Sequence, residues 1–196
     1  MAPLLVGWRL VADAGTGDAV TAVIVEVEAY GGADDPASHA ARGVTPRCAS
    51  MAGPPGHAYV YLSYGMHHCL NIVTGPIGPA AAVLVRAAAV ETGEAVVRHR
   101  RRPGPGRPAP ATAALLRGPG NLCRGLAIGL ADDGADLLAA GRLQLLPSPG
   151  PGPELIAGGR VGIRRATERL HRFAWAGHPA VSAPVPRPAS VRAAGP

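Results

Sequence analysis

The sequence predicts one α/β mixed (α+β) domain in which helices lie at the periphery of a mostly antiparallel β-sheet. Its 196 residues, 47% of them hydrophobic, are enough for a single sizeable core, and no internal repeat of solenoid length is present. Strand-like segments rich in Val, Ile and Tyr follow one another across short turns that contain glycine. We therefore expect one domain over residues 1–183, followed by a flexible tail over 184–196.

The first half of the chain contains the clearest strand signals. Residues 8–11 and 20–29 are predicted to pair across a glycine-containing turn, and a polar loop follows over 31–56. Residues 59–63 and 67–73 are predicted to form the two arms of a hairpin. Its turn contains a tyrosine and a glycine, and glycine readily adopts the positive φ of a tight turn. The tyrosine at this tip is expected to be exposed.

The second half is predicted to contain the helices and several short strands. A strand over 82–86 leads into a helix over about 87–99, and a flexible loop of Pro, Gly and Arg follows at about 100–112. A helix or helical turn is expected within 115–130. Three short strands are expected to close the sheet, over residues 143–146, 161–163 and 172–176.

Composition limits the available chemistry. The three cysteines, Cys48, Cys69 and Cys123, are widely spaced, which argues against a disulfide framework or a thiolate metal site, so no metal or cofactor is expected. The chain contains no lysine, so no side-chain amine can form a Schiff base with a substrate. The N-terminal residues do not resemble a signal peptide, and no apolar stretch is long enough to span a bilayer. We therefore expect a cytoplasmic protein without a membrane partner.

Charge is distributed unevenly along the chain. Residues 1–97 carry four arginines and eight acidic residues, net −4, whereas residues 98–196 carry fifteen arginines and five acidic residues, net +10. The basic run at 98–102, followed by Arg107, suits a polyanion, although such a run is often only a solvated loop. Nucleic acid is favoured over an anionic membrane because the run lacks interleaved apolar residues.

The tyrosines are clustered. All four lie within residues 30–64, although the chain has only seven aromatic residues. Tyrosines are common sheet residues, but here they lie near carboxylates, a histidine and an asparagine, which favours a stacking pocket for a flat polar ligand such as a nucleobase. Strand alternation predicts that Ile24, Glu26, Glu28 and Tyr30 share one face and that Val23, Val25 and Val27 share the other.

A series of short motifs occurs in a fixed order along the chain. They are Glu-Ala-Tyr at 28–30, Ala-Ser-His at 37–39, Thr-Pro-Arg at 45–47, Gly-Pro-Pro-Gly at 53–56, Tyr-Val-Tyr at 59–61, Tyr-Gly-Met at 64–66, Val-Leu-Val-Arg-Ala at 83–87, Gly-Pro-Gly-Asn-Leu-Cys at 118–123, Arg-Val-Gly-Ile at 160–163 and Arg-Phe at 172–173. Together they resemble the alkyladenine (3-methyladenine) DNA glycosylase family, also called methylpurine DNA glycosylases. The resemblance covers roughly residues 5–183 and implies a curved sheet with a protruding hairpin that inserts into DNA.

The resemblance implies roles for particular residues. Glu28 resembles the general base that activates water, and Arg86 resembles the arginine that helps to keep this carboxylate charged. The remaining residues fall into four groups. Tyr30, His39 and Tyr61 resemble the walls around the extruded base, and Asn71 resembles the residue that screens purines. Tyr64 and Met66 resemble the intercalating tip of the hairpin. Tyr59 and Arg47 are expected to bind DNA.

The function implied is hydrolysis of the N-glycosidic bond of an alkylated or deaminated purine, such as 3-methyladenine, 7-methylguanine or hypoxanthine, flipped out of double-stranded DNA. A monomer that acts at the nucleoid and leaves an uncut abasic site is expected. Cys48 departs from the family pattern, in which asparagine commonly follows Thr-Pro-Arg. Two alternatives remain open: a non-catalytic protein that binds damaged nucleic acid, and a metal-dependent hydrolase. The latter would use His57, His67, His68 and Asp34 or Asp35.

Overall fold

The computed structural model describes residues 1–185 and builds them around one eight-stranded sheet. Six strands lie side by side in the order β3-β4-β5-β2-β1-β6, while β8 pairs with both β2 and β7. All of these pairs are antiparallel. The strands are β1 (Arg9–Ala12), β2 (Val20–Tyr30), β3 (Ala58–Ser63), β4 (His67–Val73), β5 (Ala82–Thr92), β6 (Leu143–Leu146), β7 (Leu155–Gly158) and β8 (Arg172–Trp175).

The helical elements are short. Helix α1 spans Glu94–Arg100 and helix α2 spans Pro119–Gly125, and α2 packs against β4 and β5. Four 3₁₀ segments lie at Ala2–Leu5, Pro46–Ala52, Thr112–Ala114 and Leu130–Asp132. The predicted α+β class with peripheral helices is therefore confirmed. The predicted tail falls mostly on residues 186–196, which lie outside the described part of the chain.

Strand β2 organises the sheet. One edge pairs with β5, whereas the other edge pairs first with β1 at residues 20–23 and then with β8 at residues 26–28. A β-bulge at Val25 separates these two pairings, and bulges bend the strand that contains them. The sheet consequently curls into a half-barrel, as predicted for a curved sheet.

Because of this bulge, the predicted alternation of side chains in β2 is wrong at Ile24. Ile24 packs in the main core with Val27, although it was predicted to share a face with the glutamates. Val25 packs in a separate small cluster with Ala87 and Ala180. The extra residue reverses the phase of the strand, so the strict period of two that the prediction assumed does not hold across it.

The helix predicted over 87–99 is wrong at its start. Residues 87–92 continue β5, and the helix begins only after Gly93, whose φ is 79°. The run of three alanines at 87–89 suits a helix, but Ala87 and Ala88 are buried and lie opposite residues of β2. Strand pairing therefore overrides helix propensity here.

The remaining expectations are met in part. Strands are present at 143–146 and 172–175, and α2 lies within the predicted helical region 115–130. Residues 161–163 are not a strand; they form a loop, and the strand β7 lies just before them, at Leu155–Gly158. In the described residues, no helix has the length and apolar character needed to cross a membrane.

Candidate active site

A cavity of about 750 Å³ opens where the end of β2, the β3–β4 hairpin and two loops meet. It is lined by aromatic rings together with arginine and asparagine side chains, so it can hold a flat polar molecule. We call it the aromatic cavity. Eight of the ten residues predicted for the site line it: Tyr30, His39, Arg47, Tyr59, Tyr61, Tyr64, Asn71 and Arg86. Of the other two, Glu28 lies behind the wall and Met66 lies at the exposed hairpin tip.

Glu28 is fully buried and held by three groups. Its Oε2 accepts a hydrogen bond from the hydroxyl of Tyr30 at 2.8 Å, and its Oε1 accepts one from the backbone N–H of Val161 at 2.7 Å. The guanidinium of Arg86 lies 3.3 Å from Oε1. All three partners line the aromatic cavity, so the carboxylate lies directly behind its wall. An ionised carboxylate has about four acceptor positions, which leaves one for a further donor such as water.

Glu26 lies on the same strand and is also fully buried. Its Oε1 accepts hydrogen bonds from Arg172 at 2.6 Å and from Arg86 at 3.2 Å, and its Oε2 accepts one from the backbone N–H of Ser182 at 2.5 Å. The hydroxyl of Ser182 in turn lies 3.1 Å from Arg86. Glu26 therefore joins the segment at 182–184 to the arginine that contacts Glu28.

Tyr30 is held from two sides. Its hydroxyl bonds Glu28, and the guanidinium carbon of Arg160 lies 4.6 Å from the centre of its ring, within the range of a cation–π contact. Burial and the neighbouring Glu28 charge raise the pKa of the Tyr30 hydroxyl, so this hydroxyl stays protonated and donates to the carboxylate. The ring is thereby fixed in the wall of the cavity.

Arg160 is itself positioned by a buried ion pair. Its guanidinium donates to both oxygens of Asp35, at 2.5 and 2.8 Å, and also to the backbone carbonyl of Ala29. Burial alone would raise the pKa of Asp35, but the hydrogen bonds from Arg160 and two backbone N–H groups lower it to about 2. Asp35 and Arg160 therefore stay charged and support Tyr30 from behind.

Another part of the cavity lining is formed by His39, Tyr59 and Tyr61. Tyr59 and Tyr61 are two residues apart on β3 and so lie on the same face, with ring centres 5.5 Å apart. His39 meets the ring of Tyr61 edge-on at 4.5 Å, and its Nδ1 lies 2.8 Å from the Tyr59 hydroxyl. Burial, reinforced by the positive charge of Arg47, lowers the pKa of His39, which favours the neutral imidazole.

Tyr59 has a more internal position than the predicted DNA contact would need. Only 2% of the residue is exposed, and its hydroxyl is joined to His39. Its position supports His39 rather than offering a free surface to a duplex. Burial raises the pKa of both Tyr59 and Tyr61, so their hydroxyls remain protonated.

Asn71 lies within β4 and contacts the cavity from the sheet side. Its amide nitrogen donates to the backbone carbonyls of Tyr59, at 3.0 Å, and Cys69, at 3.5 Å. Because its N–H groups point to the main chain, the group that it can offer a ligand is its carbonyl oxygen. Cys69, for which no role was predicted, also lines the cavity.

The hairpin tip is exposed as predicted. Tyr64 is 88% exposed and Met66 70% exposed. Tyr64 has a φ of 50° and Gly65 a φ of 69°, so two consecutive residues have the left-handed geometry of a tight turn. Glycine adopts it without strain, whereas at Tyr64 it is uncommon. The turn therefore projects an aromatic and an apolar side chain from the edge of the cavity.

Cys48 has a local structural role. The thiol is buried, lies 3.3 Å from the backbone nitrogen of Thr45 and contacts the backbone carbonyl of His39 at 3.9 Å. The cysteine thus links the start of the 3₁₀ segment Pro46–Ala52 to the preceding loop, which carries His39. The departure from the family pattern leaves His39 within the cavity wall.

Sequence reasoning missed several supporting residues. No role was predicted for Arg160, Arg172 or Ser182, although the two arginines lie in motifs that were noticed. Asp35 was considered only as a metal ligand, and it pairs with Arg160 instead. Within residues 1–185, no three His, Cys, Asp or Glu side chains are grouped so as to hold a metal ion.

The fold combines a half-barrel sheet with a cavity lined by aromatic rings and a buried carboxylate behind one of them. The model of the family described as methylpurine-DNA glycosylase matches residues 1–179. The chain belongs to the methylpurine-DNA glycosylase family, and it is an enzyme of the DNA glycosylase class.

Similar proteins occur in several bacteria. A protein of Frankia casuarinae is 51% identical over 174 residues, which cover 83% of this chain and 79% of the relative. A protein of Mycolicibacterium fortuitum is 48% identical over 186 residues, which cover 92% and 93%. A protein of Burkholderia lata is 46% identical over 167 residues, which cover 84% and 78%. Each carries the name "Putative 3-methyladenine DNA glycosylase".

Proposed function

We propose that this glycosylase flips an alkylated or deaminated purine out of double-stranded DNA and hydrolyses its N-glycosidic bond with a water activated by Glu28. The observation that carries the proposal is the placement of this carboxylate. It is buried behind the aromatic cavity and fixed by Tyr30, Arg86 and Val161. The names of the relatives support 3-methyladenine as one of the substrates.

The base would be held by stacking. Tyr30 on one side and His39 with Tyr61 on the other provide aromatic surfaces, and stacking of this kind contributes about 1–3 kcal/mol per base. Flipping costs a few kcal/mol and costs least for a damaged or poorly paired base. Binding in the aromatic cavity can therefore offset flipping mainly for a lesion. Tyr64, exposed at the hairpin tip, would fill the space that the flipped nucleotide leaves.

The chemistry requires one general base. Glu28 would take a proton from water while the water oxygen bonds to the sugar carbon and the bond to the base nitrogen breaks with its electron pair. The developing positive charge on the sugar would be stabilised by the same carboxylate. A purine that carries a positive charge leaves as a neutral base, so it needs no acid catalyst. A neutral lesion base such as hypoxanthine must also gain a proton as it leaves.

The absence of lysine supports a monofunctional enzyme. No side chain among the 196 residues carries a primary amine, so an imine between a side chain and the abasic sugar cannot form. The product would be an abasic site in an unbroken strand.

The test is single-turnover release of free base from a duplex with one hypoxanthine and, separately, from methylated DNA, with a chelator present. We expect base release, an alkali-labile site and no covalent adduct after borohydride treatment. Release that requires an added metal ion would support the metal-dependent alternative. Lesion binding without any release would support the binding-protein alternative, and either result would overturn the proposal.

A further inference from the structure

The most basic stretch of the sequence, at residues 98–102, does not line the aromatic cavity. Helix α1 begins after Gly93, which packs against Ala19 and Val20 at the start of β2, whereas Tyr30 lies at the other end of this strand. An eleven-residue strand is about 33 Å long. Helix α1 therefore begins at the opposite end of β2 from Tyr30. Its last residues meet the end of α2 away from the cavity, where Arg124 donates to the backbone carbonyls of Arg100 and Arg102.

Several arginines of this run are already engaged within the protein. Arg98 pairs with Glu94 at 2.7 Å, and Arg100 pairs with Asp13 at 2.7 Å. Arg101 donates to the backbone carbonyl of Leu115 at 3.1 Å. These contacts tie α1 to its neighbours and leave Arg98, Arg100 and Arg101 less available to DNA.

A second set of arginines surrounds the opening of the cavity. Arg164 and Arg165 both line it and are exposed, and they follow closely after Val161, which binds Glu28. Among the described residues, neither has an acidic partner within 4.0 Å or a side-chain hydrogen bond. Arg47 is also exposed at the opening, where its guanidinium makes one long contact, 3.4 Å, to the carbonyl of Leu62. Exposed guanidinium groups without internal partners are available to an anion.

We propose that Arg164 and Arg165 bind the phosphates that flank the flipped nucleotide, with Arg47 contributing at the same opening. This inference rests on the proposed function. A nucleotide whose base lies in the cavity has its two phosphates immediately outside it, where these side chains end. The planar guanidinium matches phosphate geometry with two parallel hydrogen bonds.

The position of the two arginines also connects DNA binding to the reaction. The segment at 161–165 carries the backbone N–H that holds Glu28 and the guanidinium groups that would hold the phosphates. Binding of the phosphates would order this segment and thereby fix Val161 against the carboxylate. Phosphate contacts carry no base information but fix the register of the protein on DNA.

The experiment measures affinity for a duplex with a tetrahydrofuran abasic-site analogue between 50 and 200 mM salt, by fluorescence anisotropy. The test variant is Arg164→Gln with Arg165→Gln. The matched control is Arg102→Gln with Arg107→Gln, which removes the same charge from two exposed positions that do not line the cavity. A third variant, Arg164→Lys with Arg165→Lys, keeps the charge.

Each phosphate contact contributes about 0.9 to the slope of log K against log salt. We expect the slope of the test variant to be about 1.8 less steep than that of the unaltered protein. Between 50 and 200 mM salt, the test variant should therefore lose about tenfold less affinity. The control and the lysine variant are expected to keep most of the slope. An unchanged slope in the test variant, or an equal change in the control, would overturn the inference. Base release by the unaltered protein, measured separately, reports on the proposed function independently.

Discussion

Glu26 and Glu28 are two buried carboxylates on one strand, two residues apart, and both contact Arg86. Their other partners differ. Glu26 is bonded to Arg172 and to the backbone of Ser182, which join the sheet to the segment that follows β8. Glu28 is bonded to Tyr30 and to the backbone of Val161, which both line the aromatic cavity. Glu26 therefore holds separate parts of the fold together, whereas Glu28 is held by residues that line the aromatic cavity.

The comparison teaches that residue type and strand position do not identify a general base. Both glutamates lie in the same sequence context and on the same face of β2, and both are fully buried. What separates them is the set of donors that the fold brings to each one. Glu26 is held between two arginines, whereas Glu28 has one arginine, one hydroxyl and one backbone N–H.

The largest expected effect is on catalysis. Glu28→Gln should lower the single-turnover rate of base release by about 10²–10⁴-fold, because an amide cannot accept a proton from water at neutral pH. Its affinity for a lesion-containing duplex should stay within about threefold, since the stacking surfaces are unchanged. Gel-shift titration and rate measurement on the same preparation check both statements. A variant that loses binding in proportion to rate would contradict this separation.

The next effect concerns stability. Glu26→Ala should reduce the free energy of unfolding by about 3–5 kcal/mol, because it leaves Arg86 and Arg172 buried without their shared partner. Urea unfolding monitored by tryptophan fluorescence measures it. The matched variant is Glu28→Ala, which removes a partner from one arginine and from two uncharged donors, the Tyr30 hydroxyl and the Val161 N–H, and should cost less. Equal losses would remove the distinction between the two carboxylates.

A pH effect should arise on the Glu28 side of the site. The pKa of Asp35 is about 2 in the folded protein, below its ordinary value of 3.8, so its contribution is present above pH 3.8 and is lost as the pH falls through 2. Between pH 5 and pH 2 this loss amounts to about 2 kcal/mol. Over this pH range, the free energy of unfolding of Asp35→Asn should therefore fall by about 2 kcal/mol less than that of the unaltered protein. Identical pH profiles for this variant and the unaltered protein would show that the Arg160 pair does not act in this way.

A smaller effect is expected from Tyr30→Phe. The ring and its contact with Arg160 remain, but Glu28 loses one of the three groups that hold it. We expect base release to slow about tenfold, which corresponds to one hydrogen bond to a charged group. Binding of the lesion should change little, whereas the free energy of unfolding should fall by about 1–3 kcal/mol because a buried acceptor loses its donor. A rate equal to that of the unaltered enzyme would show that the hydroxyl does not position Glu28.

The sequence predicted those parts of the fold that local patterns determine. The arms of the β3–β4 hairpin and its exposed Tyr64 follow from residue alternation and from the glycine in the turn. The bulge at Val25 could not be predicted, because it lies in the pairing of β2 with β5, and the residues of β2 alone do not show which residues pair. The strand at 87–92 was missed because alanine has no strand pattern of its own.

The candidate site was predicted in outline for a similar reason. The tyrosine cluster and the motif order pointed to a base pocket, and these residues do meet around one cavity. The supporting groups come from distant positions: Asp35 and Arg160 are 125 residues apart, and Glu26 and Ser182 are 156 apart. Contacts over such distances are set by the topology of the sheet. The longest basic run does not line the cavity, whereas the adjacent Arg164 and Arg165 do.

The most direct test of the central claim is a side-by-side measurement of single-turnover base release by Glu28→Gln and Glu26→Gln, on one hypoxanthine duplex and at a temperature where both are folded. We expect Glu28→Gln to lose about 10²–10⁴-fold in rate and Glu26→Gln to remain within about tenfold of the unaltered enzyme. Equal losses, or a larger loss for Glu26→Gln, would contradict the assignment of Glu28 as the general base.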